Sequence, residues 1–342
     1  MKDGIEQRVE GLWAAVMAGD EYAAIDSARV AVESGIPIET MLLDVVGAVQ
    51  ARVGQEWADN RVTVAQEHTA TAVNERVLAF LAHHSATRNN RAAPNKGRLS
   101  VACVEGEWHT FPARLLAEVL RLRGWEVDYL GAHVPTQHLI VHLHRADPDT
   151  VALSDSIATR LPAAHGAITA CQAAGTPVLV GGAAFGPDGR YARLLGADAW
   201  APDARAAADL LSDGPLPRRP AASMTDEPPH PVDHEYSELT DRRGGLVRRV
   251  MDALHRQAGE PGPHGGELPR YTPEDVAYIV DYLRTSVYVD DPELFTSFVE
   301  WMTRMLRARG VPAGAMDCAL TAMDDCLSGL PHARDTLARA RQ

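Results

Sequence analysis

Glu107 and His109 stand two residues apart in the segment VEGEWHTFP, which follows the apolar run LSVACV and precedes the leucine-rich stretch ARLLAEVLRLRG. An apolar run, a loop and a helix in this order begin a βαβ unit, whose loop is commonly glycine-rich and binds phosphate. This loop instead offers an imidazole, which can ligate a transition metal, and a carboxylate that can orient it. A loop His beside Trp108 is more commonly a surface or capping residue, so the pair alone leaves both interpretations open.

Two further motifs follow this loop at defined intervals. Forty-one residues separate Pro112 from the segment SDS that begins at Ser154, and another 24 separate that segment from the glycine pair that begins at Gly181. The arrangement resembles the cobalamin-binding domain family, whose pattern is D-x-H-x-x-G, about forty residues, S-x-L and then a glycine pair. The resemblance covers roughly residues 97–211.

This resemblance implies a ligand for cobalt and a path for the nucleotide tail of the cofactor. His109 would ligate cobalt from below in place of the cofactor's own benzimidazole, and Glu107 would fix the imidazole tautomer. The tail would run along the S-x-L strand and over glycines that leave room beside the backbone. The cofactor-binding residues implied in this way are Gly106, Glu107, Trp108, Ser154, Ser156, Gly181 and Gly182.

Three positions depart from the family pattern. Glu107 replaces Asp, which keeps the charge on a longer arm, and Ser156 replaces Leu. Pro112 replaces Gly where the first turn of the next helix is expected. The start of a helix tolerates proline, so we expect a stiffer loop at this point.

In a second constellation, nine residues separate Trp57 from the pair Glu67-His68. On its own it is typical of a core Trp that ends one helix and a solvated Glu-His pair on the next. Its spacing resembles the cobalamin photoreceptors, the light-sensing repressors of carotenoid synthesis. The resemblance implies that Trp57 packs against the 5′-deoxyadenosyl group of adenosylcobalamin, while the carboxylate and imidazole hydrogen-bond near it.

The chain also differs from those repressors in two respects. In the repressors a His directly after the Trp ligates cobalt from above once light has broken the cobalt–carbon bond, but Ala58 stands here, followed by Asp59. The repressors also begin with a DNA-binding helix-turn-helix domain, whereas this sequence begins with helical patterns of another kind. We therefore expect a different output and no nucleic-acid partner.

The elements that must position these residues can be predicted from periodicity and turn residues. Residues 1–88 contain four helical patterns separated by turn residues, which predicts a four-helix bundle that caps the upper face of the corrin. The predicted helices are Glu6–Met17, Asp20–Glu33, Pro37–Asp59 and Thr63–His83. A polar linker is expected over residues 85–98.

Residues 97–212 alternate between strand and helix patterns. The predicted strands cover residues 99–104, 126–131, 150–156, 177–182 and 197–202, with helices that begin near Phe111, Pro135, Leu161, Asp188 and Ala204. Five strands that alternate with helices predict a flavodoxin-like, doubly wound parallel sheet. Such sheets bind ligands at the carboxyl ends of their strands, where all three motifs fall.

Residues 235–342, after a proline-rich linker at 212–234, read as a third, all-helical domain, so the whole is expected to be a multidomain α and α/β protein. Residues 259–273 are expected to form a flexible break between two helices of this domain. Bundle, cobalamin domain and helical domain together resemble the photocobilins, which pair cobalamin with a bilin such as biliverdin. The candidate bilin contacts are Tyr278, Tyr282, Tyr288, Trp301, Arg304 and His255, and Cys318 and Cys326 are candidate thioether sites. Ordinary core and surface roles explain these residues equally well, since a Cys on an amphipathic helix is commonly a small buried residue. The alternative for the whole domain is a dimerisation bundle.

Composition excludes several other classes. The 342 residues carry a net charge of −13 without a basic stripe, so binding to DNA or RNA is not expected. No stretch approaches the ~20 apolar residues of a membrane span, and the acidic start is unlike a signal peptide. The four cysteines lack metal-binding spacing, which favours a cytoplasmic protein with reduced thiols.

The leading hypothesis is a non-enzymatic photosensor and homo-oligomer whose bound chromophores are adenosylcobalamin and, as a second one, a bilin. Light would cleave the cobalt–carbon bond and shift the bundle around Trp57. The alternatives are a corrinoid methyl carrier of a methyltransferase system and a cobalamin-dependent interaction module. Trp57 with Glu67-His68 argues against the carrier, because a methyl group needs no adenosyl pocket.

Overall fold

The computed structural model describes residues 2–84, 95–218, 233–258, 272–312 and 314–341. The chain forms two compact units, residues 1–224 and residues 225–342. Residues 219–232 of the predicted linker at 212–234, most of the one at 85–98 and nearly all of the break at 259–273 lie outside the described residues. The predicted class is confirmed, because helical and parallel-sheet portions occur in the expected order.

The first unit begins with the predicted bundle. Its helices are α1 (Lys2–Met17), α2 (Glu21–Glu33), α3 and α4 (Val64–His83), and α3 comprises the consecutive pieces Ile38–Thr40, Met41–Val46 and Gly47–Ala58. Side chains fix two helix starts: Asp20 accepts the N–H of Ala23 at 2.9 Å, and Thr63 forms a capping box with Gln66. Satisfying these terminal N–H groups is what starts the helices at the positions that the turn residues predicted.

One feature of α3 was not predicted from its sequence. The piece Met41–Val46 is π-helical, although its apolar spacing suits an ordinary α-helix. At the end of this piece a Cβ on Gly47 would lie 3.5 Å from the Leu115 side chain, an ordinary van der Waals distance, so α3 packs beside the helix that carries Leu115. Single π-helical turns inside α-helices often occur at functional sites.

The sheet follows the bundle. Its strands are β1 (Arg98–Cys103), β2 (Glu126–Gly131), β3 (Thr150–Ser154), β4 (Val178–Gly181) and β5 (Ala199–Ala201), all parallel in the order β2-β1-β3-β4-β5. The intervening helices are α5 (Phe111–Leu122), α6 (Thr136–Ala146), α7 (Leu161–Ala173), α8 (Arg190–Leu194) and α9 (Ala204–Leu210). This is the flavodoxin-like order that was predicted. Strands β1, β3, β4 and β5 end one or two residues earlier than predicted, because the chain turns there into loops.

Bundle and sheet share one apolar core that runs from Leu12 in α1 to Leu211 after α9. Ion pairs join them at the start of α3: Arg123 contacts Glu39 at 2.6 Å, and Arg205 contacts Asp44 at 2.7 Å. The bundle is thus fastened to the sheet portion at its π-helical end. Whether residues 1–88 and 97–212 are separate domains stays a prediction, since both lie within one compact unit.

The described part of the second unit is helical throughout, as predicted. Its helices are α10 (Asp233–Ala258), α11 (Pro273–Tyr288), α12 (Pro292–Ala308), α13 (Gly314–Asp324) and α14 (Pro331–Arg339). They bury an apolar core that includes Leu239, Leu246, Val250, Ile279, Leu283, Phe295, Phe298, Met302 and Leu320. Within the described ranges, none of the helices of either unit combines the length and apolarity that crossing a membrane requires.

Candidate functional site

The candidate site lies at the point where the order of the sheet reverses. Strands β1 and β3 are neighbours, and successive connections leave them toward opposite edges. The crevice beyond the carboxyl ends of two such strands is where doubly wound sheets bind ligands. The loop after β1 carries Glu107 and His109, and the loop after β3 carries Asp155, Ser156 and Arg160.

Glu107 and His109 form the contact that the sequence predicted. The Oε1 atom of Glu107 accepts both the backbone N–H and the Nδ1–H of His109, each at 2.6 Å. Glu107 is fully buried, whereas the His109 side chain is 58% exposed. The bond to Glu107 raises the pKa of His109 and leaves Nε2 as the nitrogen that can ligate a metal.

The second oxygen of Glu107 binds the loop after β3. Oε2 accepts the backbone N–H of Ser156 at 2.7 Å, and a guanidinium nitrogen of Arg160 lies 3.6 Å away. Burial alone would raise the pKa of Glu107, but the bonds from His109 and Ser156 lower it to about 2. The carboxylate is therefore ionised and holds the two loops together.

Asp155 supplies a further buried carboxyl group that sequence analysis did not single out, although it lies inside the SDS motif. Burial, followed by the neighbouring Glu107, raises its pKa well above the ordinary value. Its Oδ2 atom is buried and receives no hydrogen bond. A proton on this oxygen would make Asp155 a donor toward Glu107, so we assign the neutral acid to Asp155 and the charge to Glu107.

The remaining loop residues take different positions. Gly106 has a φ of +86°, and its carbonyl accepts Nε of Arg160 at 2.6 Å. Trp108 is exposed over 66% of its surface beside His109. Pro112 lies in the first turn of α5, as predicted. Arg160 was missed because nothing in its local sequence distinguishes it from an ordinary helix-start arginine.

A small cavity of about 90 Å³ lies between the sheet and the helices α5 and α9. Ser154, Gly181, Gly182 and Pro112 line it, which places three predicted tail-binding residues together. A Cβ on Gly182, where φ is +105°, would lie 2.1 Å from the carbonyl oxygen of Asp155, so only glycine fits there. Ser156 does not line this cavity, because its N–H faces Glu107 instead.

The bundle contributes Glu67 and His68 from the first turns of α4. Glu67 accepts the hydroxyl of Thr71 at 2.9 Å and pairs with Nδ1 of His68 at 2.9 Å. The charge of Glu67 also makes a small contribution to the raised pKa of His109, after the larger effect of Glu107. His68 is 75% exposed, and Trp57 is half-buried at the end of α3.

A polar network continues from Glu67 into the bundle and was not foreseen. Gln50 on α3 donates to the Thr71 hydroxyl at 2.8 Å, and the fully buried Asn74 on α4 donates to Gln50 at 2.9 Å. These side chains lie among apolar positions, where buried polar groups require partners. The network therefore links the state of Glu67 to the packing of α3 against α4.

The residues at the switch point fit a corrinoid. Within the described ranges, no cluster of three or more His, Cys, Asp or Glu side chains could cage a metal ion. A single imidazole, such as His109, suffices for a cobalt ion whose equatorial ligands belong to a macrocycle. The buried orienting Glu107 and the glycine-lined cavity supply the other features that such a cofactor requires.

The candidate bilin residues of the second unit do not form one site. Tyr282 stacks on Phe298 at 3.7 Å, and Tyr288 packs against Tyr236 at 4.9 Å. The exposed aromatic and basic candidates are Tyr278, Trp301, Arg304 and His255. Cys318 and Cys326 instead line a cavity of about 640 Å³ between α10 and α13, together with arginines of α10.

Two protein families, both described as B12 binding domain, match the chain. One matches residues 97–210, which agrees with the predicted cobalamin domain, and the other matches residues 8–82, the bundle. The predicted cobalamin-binding character of residues 1–212 is thereby confirmed.

One relative and one solved structure extend the comparison. The HTH-type transcriptional repressor CarH of Myxococcus xanthus is 32% identical over 146 residues, which are 41% of this chain and 46% of that protein. The match thus spans just under half of the relative, and it confirms the predicted resemblance to such repressors. The monomethylamine corrinoid protein of Methanosarcina barkeri has the same fold, with a TM-score of 0.53, 17% identity and coverage of 61% of this chain and 98% of that one. The likeness to photocobilins stays a prediction.

Proposed function

Residues 8–82 and 97–210 of this chain are B12 binding domains, and on that premise we propose that the protein is a cobalamin-dependent photoreceptor. Adenosylcobalamin lies between bundle and sheet, and when bound it supplies a cobalt–carbon bond that light cleaves. The protein is a sensor without catalytic turnover. It responds through its own packing, which differs between the adenosyl-bound and adenosyl-free states.

The observation that carries this proposal is the buried Glu107 bond to the exposed His109. Because Nδ1 donates to Glu107 at 2.6 Å, Nε2 would be the atom of His109 that binds cobalt when the cofactor is present. Thr110 of the loop after β1 donates to Glu75 of α4 at 3.4 Å, so this loop and the bundle are neighbours. We therefore infer that the macrocycle would bind between α4 and this loop.

On the upper side, Trp57, Glu67 and His68 hold the adenosyl group. An aromatic ring excludes water from the apolar face of such a group, and a carboxylate accepts hydrogen bonds from ribose hydroxyls. Glu67 is only 25% exposed and is fixed by Thr71, so it can receive those bonds without being reorganised. His68, at 75% exposure, is free to turn toward a ligand.

The bundle transmits the signal by moving its Trp57 end. Its other end is held by the ion pairs of Arg123 with Glu39 and of Arg205 with Asp44, next to the π-helical piece of α3. Without the adenosyl group, Trp57 would lose packing and Glu67 would lose hydrogen bonds. The Trp57 end of α3 and the start of α4 would then repack through the network of Gln50 and Thr71, while the end held by the ion pairs stays in place.

The test is a comparison of spectra before and after light. Purified protein is loaded with adenosylcobalamin in the dark, its absorbance is recorded, and the sample is illuminated with green light and measured again. We expect a permanent change to a non-alkyl cobalamin spectrum. His109→Ala should lose the imidazole-bound spectrum, and His138→Asn, an exposed change on α6, is the matched control. An unchanged spectrum of the wild-type protein on illumination would exclude a photoreceptor.

A corrinoid methyl carrier is the second candidate, and Ala58 favours it. The position directly after Trp57 offers no imidazole for an upper ligand, which a methyl carrier does not need. Relative affinity for adenosylcobalamin and methylcobalamin separates the two functions. A photoreceptor should prefer adenosylcobalamin and lose that preference in Trp57→Ala, whereas a carrier should show no preference in either protein.

A bilin is the proposed second chromophore, bound by the second unit. Two adjoining cavities of about 640 and 420 Å³ share Arg249 and Cys326, and Arg242 and Arg256 line one each. Guanidinium groups can bind the propionates of a linear tetrapyrrole, and a thiol can add to its vinyl group. Biliverdin is added to the full chain, and a red-absorbing band that co-purifies supports the site. Retention of that band in denaturant by wild type and Cys318→Ala, but not by Cys326→Ala, identifies the thioether.

We also propose that the protein works as a homo-oligomer whose state depends on light. Interfaces of this kind repack when a bistable element shifts, and the Trp57 end of the bundle would be such an element. Light scattering on the loaded protein in the dark and after illumination measures the mass directly. One mass in both conditions would exclude assembly as the output.

A further inference from the structure

His133, in the turn between β2 and α6, touches the loop of the candidate cobalt ligand at three successive residues. Its backbone N–H donates to the carbonyl of Glu107 at 2.8 Å, and its Nδ1 accepts the N–H of Gly106 at 2.8 Å. Its ring stacks on Trp108, with centroids 5.0 Å apart and planes 9° from parallel. Since Nδ1 accepts, the imidazole is neutral and carries its proton on Nε2.

The backbone of His133 has an uncommon conformation. Its φ is +46°, in the left-handed region that few residues other than Gly adopt, although His does so more readily than most. Such conformations persist where surrounding contacts determine them, and they occur preferentially at functional sites. Here the contacts are the two hydrogen bonds and the ring stack, all of them to the loop after β1.

These contacts complete the support of that loop. On the β3 side, Arg160 binds the carbonyl of Gly106 and Ser156 binds Glu107. On the β2 side, His133 binds the N–H of Gly106, so the same residue is held from both directions. The two sides together fix the loop that ends at His109.

The stacking of His133 on Trp108 explains why an aromatic side chain is useful at position 133. The indole precedes His109 directly and is 66% exposed, yet one of its faces is covered by the stacked imidazole. An exposed indole without such support would rotate among its rotamers, whereas a stacked one is held in one orientation. Its other face is left for a flat, largely apolar ligand beside the imidazole of His109.

We propose that His133 is a positioning residue for the cobalt-ligating loop, and that Trp108 and His133 form an aromatic shelf that supports the lower face of the corrin macrocycle next to His109. This inference rests on the proposed corrinoid site. The shelf acts on the macrocycle and not on its nucleotide tail, because the tail cavity is lined by Ser154, Gly181 and Gly182 on the other side of β1.

Two variants separate the shelf from the backbone support. His133→Asn keeps a residue that tolerates positive φ and an amide oxygen that can accept the Gly106 N–H, but it removes the stacked ring. Trp108→Leu removes the indole and leaves His133 intact, so it remains informative even if His133→Asn fails to fold. His138→Asn, an exposed histidine on α6, is the matched control.

The first measurement is the ligand state of cobalt in protein loaded with cob(II)alamin, read from the nitrogen splitting in its electron paramagnetic resonance spectrum. We expect the wild type and His138→Asn to be imidazole-bound, and His133→Asn to show several-fold more of the form without imidazole. Thermal unfolding of the cofactor-free proteins runs alongside, since a purely structural loss would lower the midpoint without changing the ligand state. Equal imidazole-bound fractions in wild type and His133→Asn would overturn the positioning role.

The second measurement uses cobinamide, a corrinoid without the nucleotide tail, and records its affinity by quenching of tryptophan fluorescence. Trp108→Leu and His133→Asn should each weaken cobinamide binding by about fivefold to tenfold, and the double variant by less than the product of the two losses. Unchanged affinities would overturn the shelf. If the wild type itself binds cobalamin without imidazole coordination, the assignment of His109 as cobalt ligand and the positioning role of His133 both fail, whereas the cobinamide affinities still test the shelf. If the wild type binds no corrinoid at all, the proposed function fails.

Discussion

Asp155 lies next to Glu107 at the centre of the site, and both side chains are fully shielded from solvent. Their pKa values move apart: that of Glu107 is lowered to about 2, and that of Asp155 is raised well above its ordinary value. Two adjacent buried carboxyl groups cannot both ionise without severe repulsion, so one keeps its proton. The hydrogen bonds from His109 and Ser156 select Glu107 as the charged member.

Relative to wild type, the Asp155→Asn variant should therefore gain stability as the pH rises. In the wild type Asp155 keeps a proton in the folded state that it loses in the unfolded state above pH ~4, so its contribution to the free energy of unfolding falls with pH. The Asn variant has no such proton. Between roughly pH 5 and pH 6, its stability relative to wild type should rise by up to about 1.4 kcal/mol per pH unit. Urea unfolding of the cofactor-free proteins measures this slope.

The chosen pH range separates Asp155 from its neighbours. Glu107, with a pKa of about 2, contributes stability that is present above its ordinary pKa and is lost only as the pH falls toward 2. His109 changes charge at higher pH, because its pKa is raised. Asp149→Asn, at the opposite end of β3, provides a comparison. A stability difference between Asp155→Asn and wild type that does not vary with pH would mean that Asp155 is ionised when folded.

Replacing Glu107 by Gln should lower the pKa of His109 toward the ordinary value. The bond from Nδ1 to the carboxylate is the main cause of the raised pKa, so its charge-assisted part disappears with Gln. In the wild type this pair stabilises the folded state below pH ~6.5, and that stability is lost as the pH rises through the raised pKa of His109. Histidine titration by nuclear magnetic resonance of cofactor-free protein, assigned with His109→Ala, measures the shift.

The same substitution should weaken cobalamin binding by about 10- to 100-fold, as changes to residues that orient metal ligands do. Glu105→Gln is the matched control, because Glu105 lies in the same loop with its side chain exposed. If the pKa of His109 were the same in Glu107→Gln as in wild type, the carboxylate would not be what orients the imidazole.

The sequence allowed those parts of the site to be predicted that depend on local pattern. Glu107 and His109 are two residues apart, so their contact follows once the chain turns there, and the strand order follows from the alternation of strands and helices. Asp155, Arg160 and His133 were not predicted as site residues. Each reaches the loop from another connection of the sheet, 27 to 54 residues away, and such contacts leave no periodic signal.

The π-helical piece of α3 was missed for a related reason. Its residues have the apolar spacing of a regular helix, and that spacing carries no sign of the change in backbone hydrogen bonding. In the second unit, the aromatic candidates were chosen by residue type. Several of them pack against one another, such as Tyr282 on Phe298, while the cavity forms around residues of α10 and α13.

Gly182 should be far less tolerant of alanine than a glycine of similar backbone conformation elsewhere. Alanine at Gly175, where φ is +81° and a Cβ meets nothing within 4 Å, should cost about 1–2 kcal/mol from the backbone alone. At Gly182 the Cβ would lie 2.1 Å from the carbonyl of Asp155, which should add about 1–3 kcal/mol. Denaturant unfolding of both variants measures the difference. If both variants lost the same free energy of unfolding, the loop after β3 would be able to move away from the added Cβ at no energetic cost.

Thr71→Val should weaken the link between the upper ligand site and the bundle. Valine keeps the shape of threonine but removes the hydroxyl that donates to Glu67 and accepts from Gln50, which should cost about 1–2 kcal/mol of stability. Because Glu67 is then no longer held, the preference for adenosylcobalamin over methylcobalamin should fall severalfold. Thr69→Val, on the exposed side of α4, is the control, since its hydroxyl bonds only the carbonyl of Ala65 among the contacts described. If Thr71→Val and Thr69→Val had the same preference for adenosylcobalamin, the network would have no part in cofactor recognition. Glu67 would then bind the adenosyl group without support from Thr71.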